Sequence, residues 1–216
     1  MLPFAVGIAL SPIPIIGVVL MLGTPRARVN GIAFVLGWIF GVAAVGTGLL
    51  LLANAAEAAE GSSPAEWVSV AKIALGAFLV VVSVRTWRGR PRRGEEAAMP
   101  RWMESVDHFG PGLAAGMAVL LSTINPKNLV LIMGAAAAIA GVGLEPREDA
   151  IAMAIFVFIA TIGPAAPVAI YFVMRKRSQQ ILEDLRAWMA DNNAAIMAVI
   201  CLLIGAKLIG DGIGGF

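Results

Sequence analysis

The sequence predicts an all-α polytopic membrane protein: six transmembrane helices as two inverted three-helix repeats, with helices 1 and 4 broken in mid-membrane. Three observations predict it. Of 216 residues, 59% are hydrophobic and only 14% charged, with a mean hydropathy of +0.87, well away from soluble domains. Six apolar stretches, at 2–22, 29–53, 66–86, 112–141, 149–174 and 191–213, are each long enough to cross a hydrocarbon core of roughly 30 Å. Basic residues also concentrate in alternate links. Arg26, Arg28, Arg85, Arg88, Arg90, Arg92, Arg93, Arg101, Arg175, Lys176, Arg177 and Arg186 fall after spans 1, 3 and 5, against Arg147 alone in the other links.

That asymmetry sets the expected orientation, with the three basic links in the cytoplasm and both termini outside. The opening "MLPFAVGIAL" has no basic n-region, and no small-residue cleavage site follows, so span 1 reads as a retained helix. In a soluble protein "RTWRGRPRR" would suggest nucleic acid. Beside an apolar span it reads as a retention signal that touches anionic lipid, and no nucleic-acid partner is expected.

Span 1 carries "LSPIPIIGVVLMLG" and span 4 "STINPKNLVLIMG". Proline inside a helix removes a backbone bond and clashes with the preceding turn. Ser11-Pro12 and Asn125-Pro126 each place an N-cap residue before a proline at the first helical position, so each marks the start of a new half-helix. Ser11 lies ~15 Å into its span, and Asn125 lies a similar depth from the other side. Two half-helix N-termini then meet near the midplane, each with the positive end of its dipole and free N–H groups. Lys127 stands in the first turn of the second. A lysine there costs roughly 2.5–3.5 kcal/mol on insertion scales, more than a packing role explains. Ser11, Pro12, Pro14, Thr123, Asn125, Pro126, Lys127 and Asn128 are therefore the candidate substrate site, suited to phosphate, sulfate or carboxylate. The competing reading is that Lys127 pairs with a carbonyl and only locks the fold.

The remaining spans repeat the first three. Ser11-Pro12-Ile13-Pro14 can be set against Thr123-Ile124-Asn125-Pro126. "GVAAV" (41–45) in span 2 matches "GPAAP" (163–167) in span 5, and "LGAFL" (75–79) in span 3 matches "IGAKL" (204–208) in span 6. The matches occur in one order, dividing the chain into a first repeat with its basic link (1–97) and a second (98–216). A three-span unit ends on the opposite side from its start, so the second copy is inverted, with the site between the copies.

Gly163, Pro164 and Pro167 are candidate bend or gating residues beside the site. Lys207 and Asp211, four apart on span 6, read as an ion pair. "GWIFG" (37–41) and "GLAAG" (112–116) suit close helix contact, within a protomer or in a homodimer. Trp102, Met103, Val106 and Phe109 share one helical face, as do Ile181, Leu182, Leu185, Trp188 and Met189. Both segments are expected to lie in the headgroup plane and anchor the following span. With one histidine (His108), one buried cysteine (Cys201) and no intramembrane acid pair, no enzyme activity, catalytic residue, metal or cofactor is expected.

"LSPIPIIGVVLMLGTPRARVNGIAFVLGWIFG", "INPKNL" and "NNAAIMAVICLLIGAKLIGDG" resemble the GAP/Sap family, the glycopeptidolipid- and sulfolipid-addressing proteins of actinobacteria, within the LysE transporter superfamily. The resemblance implies six spans in inverted repeats, a multi-pass protein of the bacterial plasma membrane, and movement of an anionic envelope glycolipid or lipid-linked precursor. The family's motifs fall on Ser11, Pro12, Pro14, Asn125, Pro126, Lys127 and Asn128. Two alternatives stay open. One is a LysE-like exporter of a small solute such as an amino acid, although the spans offer a cation only Asp211, near an end. The other is a non-transporting assembly factor for lipid export, in which Lys127 is replaceable.

Overall fold

A computed structural model describes residues 1–60, 66–90, 101–174 and 177–215. Among them are eight α-helices: α1 (Leu2–Ala9), α2 (Pro12–Leu22), α3 (Ala27–Glu60), α4 (Glu66–Arg88), α5 (Pro111–Thr123), α6 (Pro126–Ala140), α7 (Pro146–Met174) and α8 (Ser178–Ile213). A 3-10 segment, Arg101–His108, precedes α5. Helices are what a bilayer permits, because an open sheet edge would leave backbone groups unpaired in hydrocarbon. Four helices, α3, α4, α7 and α8, are long and apolar enough to cross a membrane. The number rises to six if each bent pair, α1–α2 (43°) and α5–α6 (65°), is one span. The chain is a multi-pass membrane protein.

Each bend falls at a predicted proline pair. Ser11 (φ −73°, ψ 113°) and Asn125 (φ −63°, ψ 116°) take the same extended conformation just before Pro12 and Pro126. This cap-to-cap correspondence sits two residues along from the Ser11–Thr123 alignment, so the chain geometry equates Ser11 with Asn125.

The core is built across the two halves of the chain. α4 packs most extensively on α8, and α3 on α5 and α6, while α1 and α2 rest on α7. Close approach explains several glycines. A Cβ on Gly76 would press on the Gly205 carbonyl, and one on Gly205 on the Gly76 carbonyl. A Cβ on Gly37 would overlap Ala115, so the 37–41 small-residue face is used between α3 and α5. Gly112 and Gly116 face open space.

Two expectations about the ends change. Met103, Val106 and Phe109 are buried in the protein, where Met103 packs with Ile15, Ile16 and Met189. The Asn30 amide donates to the Phe109 carbonyl at 2.9 Å and holds the segment on α3. An apolar face is satisfied equally by a protein groove or by lipid, and its periodicity does not say which. The side chain of Trp102 lies outside the described residues, as do Arg92, Arg93, Arg175 and Lys176. The second amphipathic segment is the first part of α8 itself. With Leu182 and Met189 buried and Trp188 exposed, it runs into the apolar portion without a break.

Candidate functional site at the two helix breaks

Breaking a helix frees the carbonyl four residues before the restart, because its usual N–H partner has been lost or redirected. At the first break that carbonyl belongs to Gly7, since the Ser11 N–H turns to Ile8 O instead (3.1 Å). At the second it belongs to Leu121. Two consecutive residues of α6 satisfy both. Lys127 Nζ donates to Gly7 O at 3.0 Å, and Asn128 Nδ2 donates to Leu121 O at 3.0 Å. The Ser11 hydroxyl joins them, accepting from Lys127 Nζ at 2.5 Å and donating to Asn128 Oδ1 at 3.3 Å. Asn125 caps α6, its Oδ1 accepting from the Lys127 N–H at 3.1 Å. The breaks are thus stitched into one buried polar cluster, with Ser11, Lys127 and Asn128 all shielded.

The predicted residues divide accordingly. Ser11, Asn125, Lys127 and Asn128 come together. Ser11 holds the N-cap position of α2 but does not cap it, because its hydroxyl reaches across to α6. Thr123 turns its hydroxyl onto Val119 O of its own helix (2.7 Å), and Ser122 does the same (2.9 Å). Pro126 is exposed, whereas Pro12 and Pro14 are buried. The first turn of α2 reads Pro-Ile-Pro, so of its N–H groups only that of Ile13 is left to face a ligand. The expected array of amide donors is therefore thin, and Lys127 carries most of the site's positive character.

Charge balance sharpens this. The salt bridges among the described residues are Arg186–Glu183 and Lys207–Asp211, and neither involves Lys127. Lys127 is 4% exposed. A buried ammonium with hydrogen bonds but no counter-charge carries a desolvation cost that the two oxygens only partly offset.

The bend residues act differently. Pro164 and Pro167 lie inside a continuous α7. Pro164 has no N–H for Ala160 O, and the indole of Trp38 on α3 donates to that carbonyl instead, at 3.2 Å. Gly163 meets the end of α1, where a Cβ would overlap Ala9 O. Lys207 and Asp211 form the expected ion pair, with the ammonium 5.7 Å from the Phe4 ring centroid. Cys201 is buried with a free thiol.

Sequence reasoning missed a second feature. Asp149, the first residue of the 149–174 span and given no role there, is 5% exposed, and its Oδ2 accepts from Asn54 Nδ2 at 2.7 Å. It lies at one end of a cavity of about 770 Å³ between α3 and α7. The signal available was a carboxylate at the first residue of an apolar run.

The family model for Sap, the sulfolipid-1-addressing protein, matches residues 1–214. The chain belongs to that family. Nothing matches among curated proteins or among solved structures. The match to the Sap family spans both breaks, the α3–α7 cavity and the Gly76–Gly205 contact together.

Proposed function

We propose that this Sap-family protein moves an anionic envelope lipid, such as a sulfated or phosphorylated glycolipid or its precursor, across the plasma membrane. The headgroup would bind at Lys127, between the two breaks. One observation carries the reading: Lys127 is buried where the breaks meet, and no salt bridge among the described residues supplies it with a counter-charge. Repairing a freed carbonyl does not require charge, because neutral Asn128 does the same for Leu121 O. An arriving sulfate or phosphate would supply the missing charge, joined by the Ile13 N–H. The family description, which names sulfolipid-1 addressing, fits such a cargo.

Alternating access by two inverted repeats suits this site. Positions paired in the repeat alignment occupy equivalent contacts: Gly76 faces Gly205, Gly41 abuts Ser122 just before the second break, and Gly163 abuts Ala9 just before the first. Related residues meeting back to back is what a two-fold axis in the membrane plane requires. On this reading the enclosed Lys127 marks an occluded state, and a headgroup would reach the ammonium when the breaks part. Basic links facing the cytoplasm and a place within the LysE superfamily belong to the same reading.

Reconstitution tests it. Liposomes with a fluorescent sulfated glycolipid are quenched from outside and the protected fraction is followed. The expected result is accelerated transbilayer movement that Lys127→Met abolishes. Movement no faster than in empty liposomes would reject transport by this chain alone and favour the assembly-factor role.

A further inference from the structure

The cavity between α3 and α7 is mostly apolar along its length, with Asn54 and Asp149 at one end. Val35, Ile39, Leu50, Met153 and Phe158 are among its walls. Between Val35 and Asn54 the α3 wall extends about 28 Å, close to a full hydrocarbon thickness. Ile39, Leu51, Phe158 and Ile162 along it are exposed, so the cavity opens sideways, where the surrounding medium is lipid. The polar end is Asp149 with Asn54. Asp149 Oδ2 is taken by the Asn54 amide, but Asp149 Oδ1 is buried with no hydrogen-bond partner among the described residues. A buried acceptor left unmade is costly, and a native structure normally supplies it with a donor.

We infer that this groove holds an acyl chain of a glycosylated lipid, with a sugar hydroxyl donating to Asp149 Oδ1. A phosphate or sulfate at that point would be repelled by the carboxylate. A sugar offers vicinal hydroxyls that both donate and accept, matching an acceptor oxygen set against a half-buried asparagine amide. An ammonium head can only donate, so it would leave the second N–H of the Asn54 amide unmatched. The inference deepens the transport reading, on which it rests for a lipid cargo. It gives the same class of cargo a second recognition point at α3–α7, apart from the anion site at Lys127.

Native mass spectrometry of the full chain, released from nanodiscs, tests this without any transport step. Four lipids with identical acyl chains compete: glucosyl diacylglycerol, diacylglycerol, phosphatidylethanolamine and phosphatidylglycerol. Wild type should retain the glucosyl lipid about tenfold over diacylglycerol, the worth of one hydrogen bond to a charged group. Asp149→Asn, which replaces the charged acceptor with a neutral amide, should shrink that preference severalfold. Ala154→Trp, which fills the groove, should lower retention of both. Retention of the glucosyl lipid by wild type that fails to move the sulfated lipid in liposomes would sink the transport reading while sparing this one. Parity in wild type, phosphatidylethanolamine ahead of the glucosyl lipid, or a preference unchanged in Asp149→Asn would overturn the inference. If Asp149→Asn elutes aggregated, Ala154→Trp decides: unaltered retention of the glucosyl lipid rejects the groove.

Discussion

The ammonium of Lys127 donates to the carbonyl of Gly7, far away in sequence, and so closes the break of one half of the chain from the break of the other. Its neighbour Asn128 closes the second break. The pair explains why amide and amine stand together after Pro126. Losing Asn128 should therefore be a stability defect. Asn128→Leu strands Leu121 O and leaves the Ser11 hydroxyl without its acceptor, a cost of about 1–3 kcal/mol. Chemical unfolding in detergent should show it, whereas Thr123→Val, which removes only a bond to its own helix, should change less.

Trp38 and Pro164 should behave as a coupled pair. Trp38→Phe leaves Ala160 O unpaired, at a cost of about 1–3 kcal/mol plus some packing. In a Pro164→Ala background the restored N–H of residue 164 can take that carbonyl, so the same tryptophan change should cost less. A double-mutant cycle measures the difference, which should be on the order of 1 kcal/mol. Strict additivity would show that the indole is packing alone.

The Gly76–Gly205 contact should tolerate no added atom. Gly76→Ala or Gly205→Ala places a methyl against the facing carbonyl, and overpacking of this kind costs typically about 1–3 kcal/mol. Thermal unfolding of either variant should begin at lower temperature, with α4 and α8 most affected in hydrogen exchange. Gly112→Ala, which meets nothing, is the matched control and should unfold like wild type.

The Lys207–Asp211 pair, half-exposed and one helical turn apart, should contribute little. Removing both charges should shift stability by about 0.3–0.5 kcal/mol, within the range of exposed helix pairs. A cycle on detergent-solubilised protein checks it, and a coupling several times larger would mean that Phe4 beneath the ammonium excludes more solvent than its exposure implies.

The breaks were legible in the sequence because their cause is local. Ser11-Pro12 and Asn125-Pro126 impose an extended residue and a fresh helix start whatever surrounds them. The partners of the breaks were not legible, since nothing near Lys127 in sequence names Gly7. The dipole argument at the first break overcounted donors by passing over the missing N–H groups of Pro12 and Pro14. Asp149 was overlooked because a carboxylate at a span's edge reads as link, and only the packing of α3 against α7 buries it. Met103, Val106 and Phe109 were assigned to lipid because their spacing fits either neighbour. The join within α8 was hidden because the charged 178–191 and the apolar stretch after it differ in composition like separate elements, although one helix, Ser178–Ile213, runs through both.

The central claim is that the buried charge of Lys127, beyond its hydrogen bonds, is there for an anion. The direct measurement compares wild type, Lys127→Gln and Lys127→Met in nanodiscs for retention of a sulfated glycolipid against its unsulfated parent. Glutamine keeps a donor for Gly7 O, so it should fold like wild type. The account predicts that wild type prefers the sulfated form by about tenfold or more and that both variants lose the preference. A preference that survives in Lys127→Gln, or none in wild type, would contradict it and leave Lys127 as a lock between the two breaks.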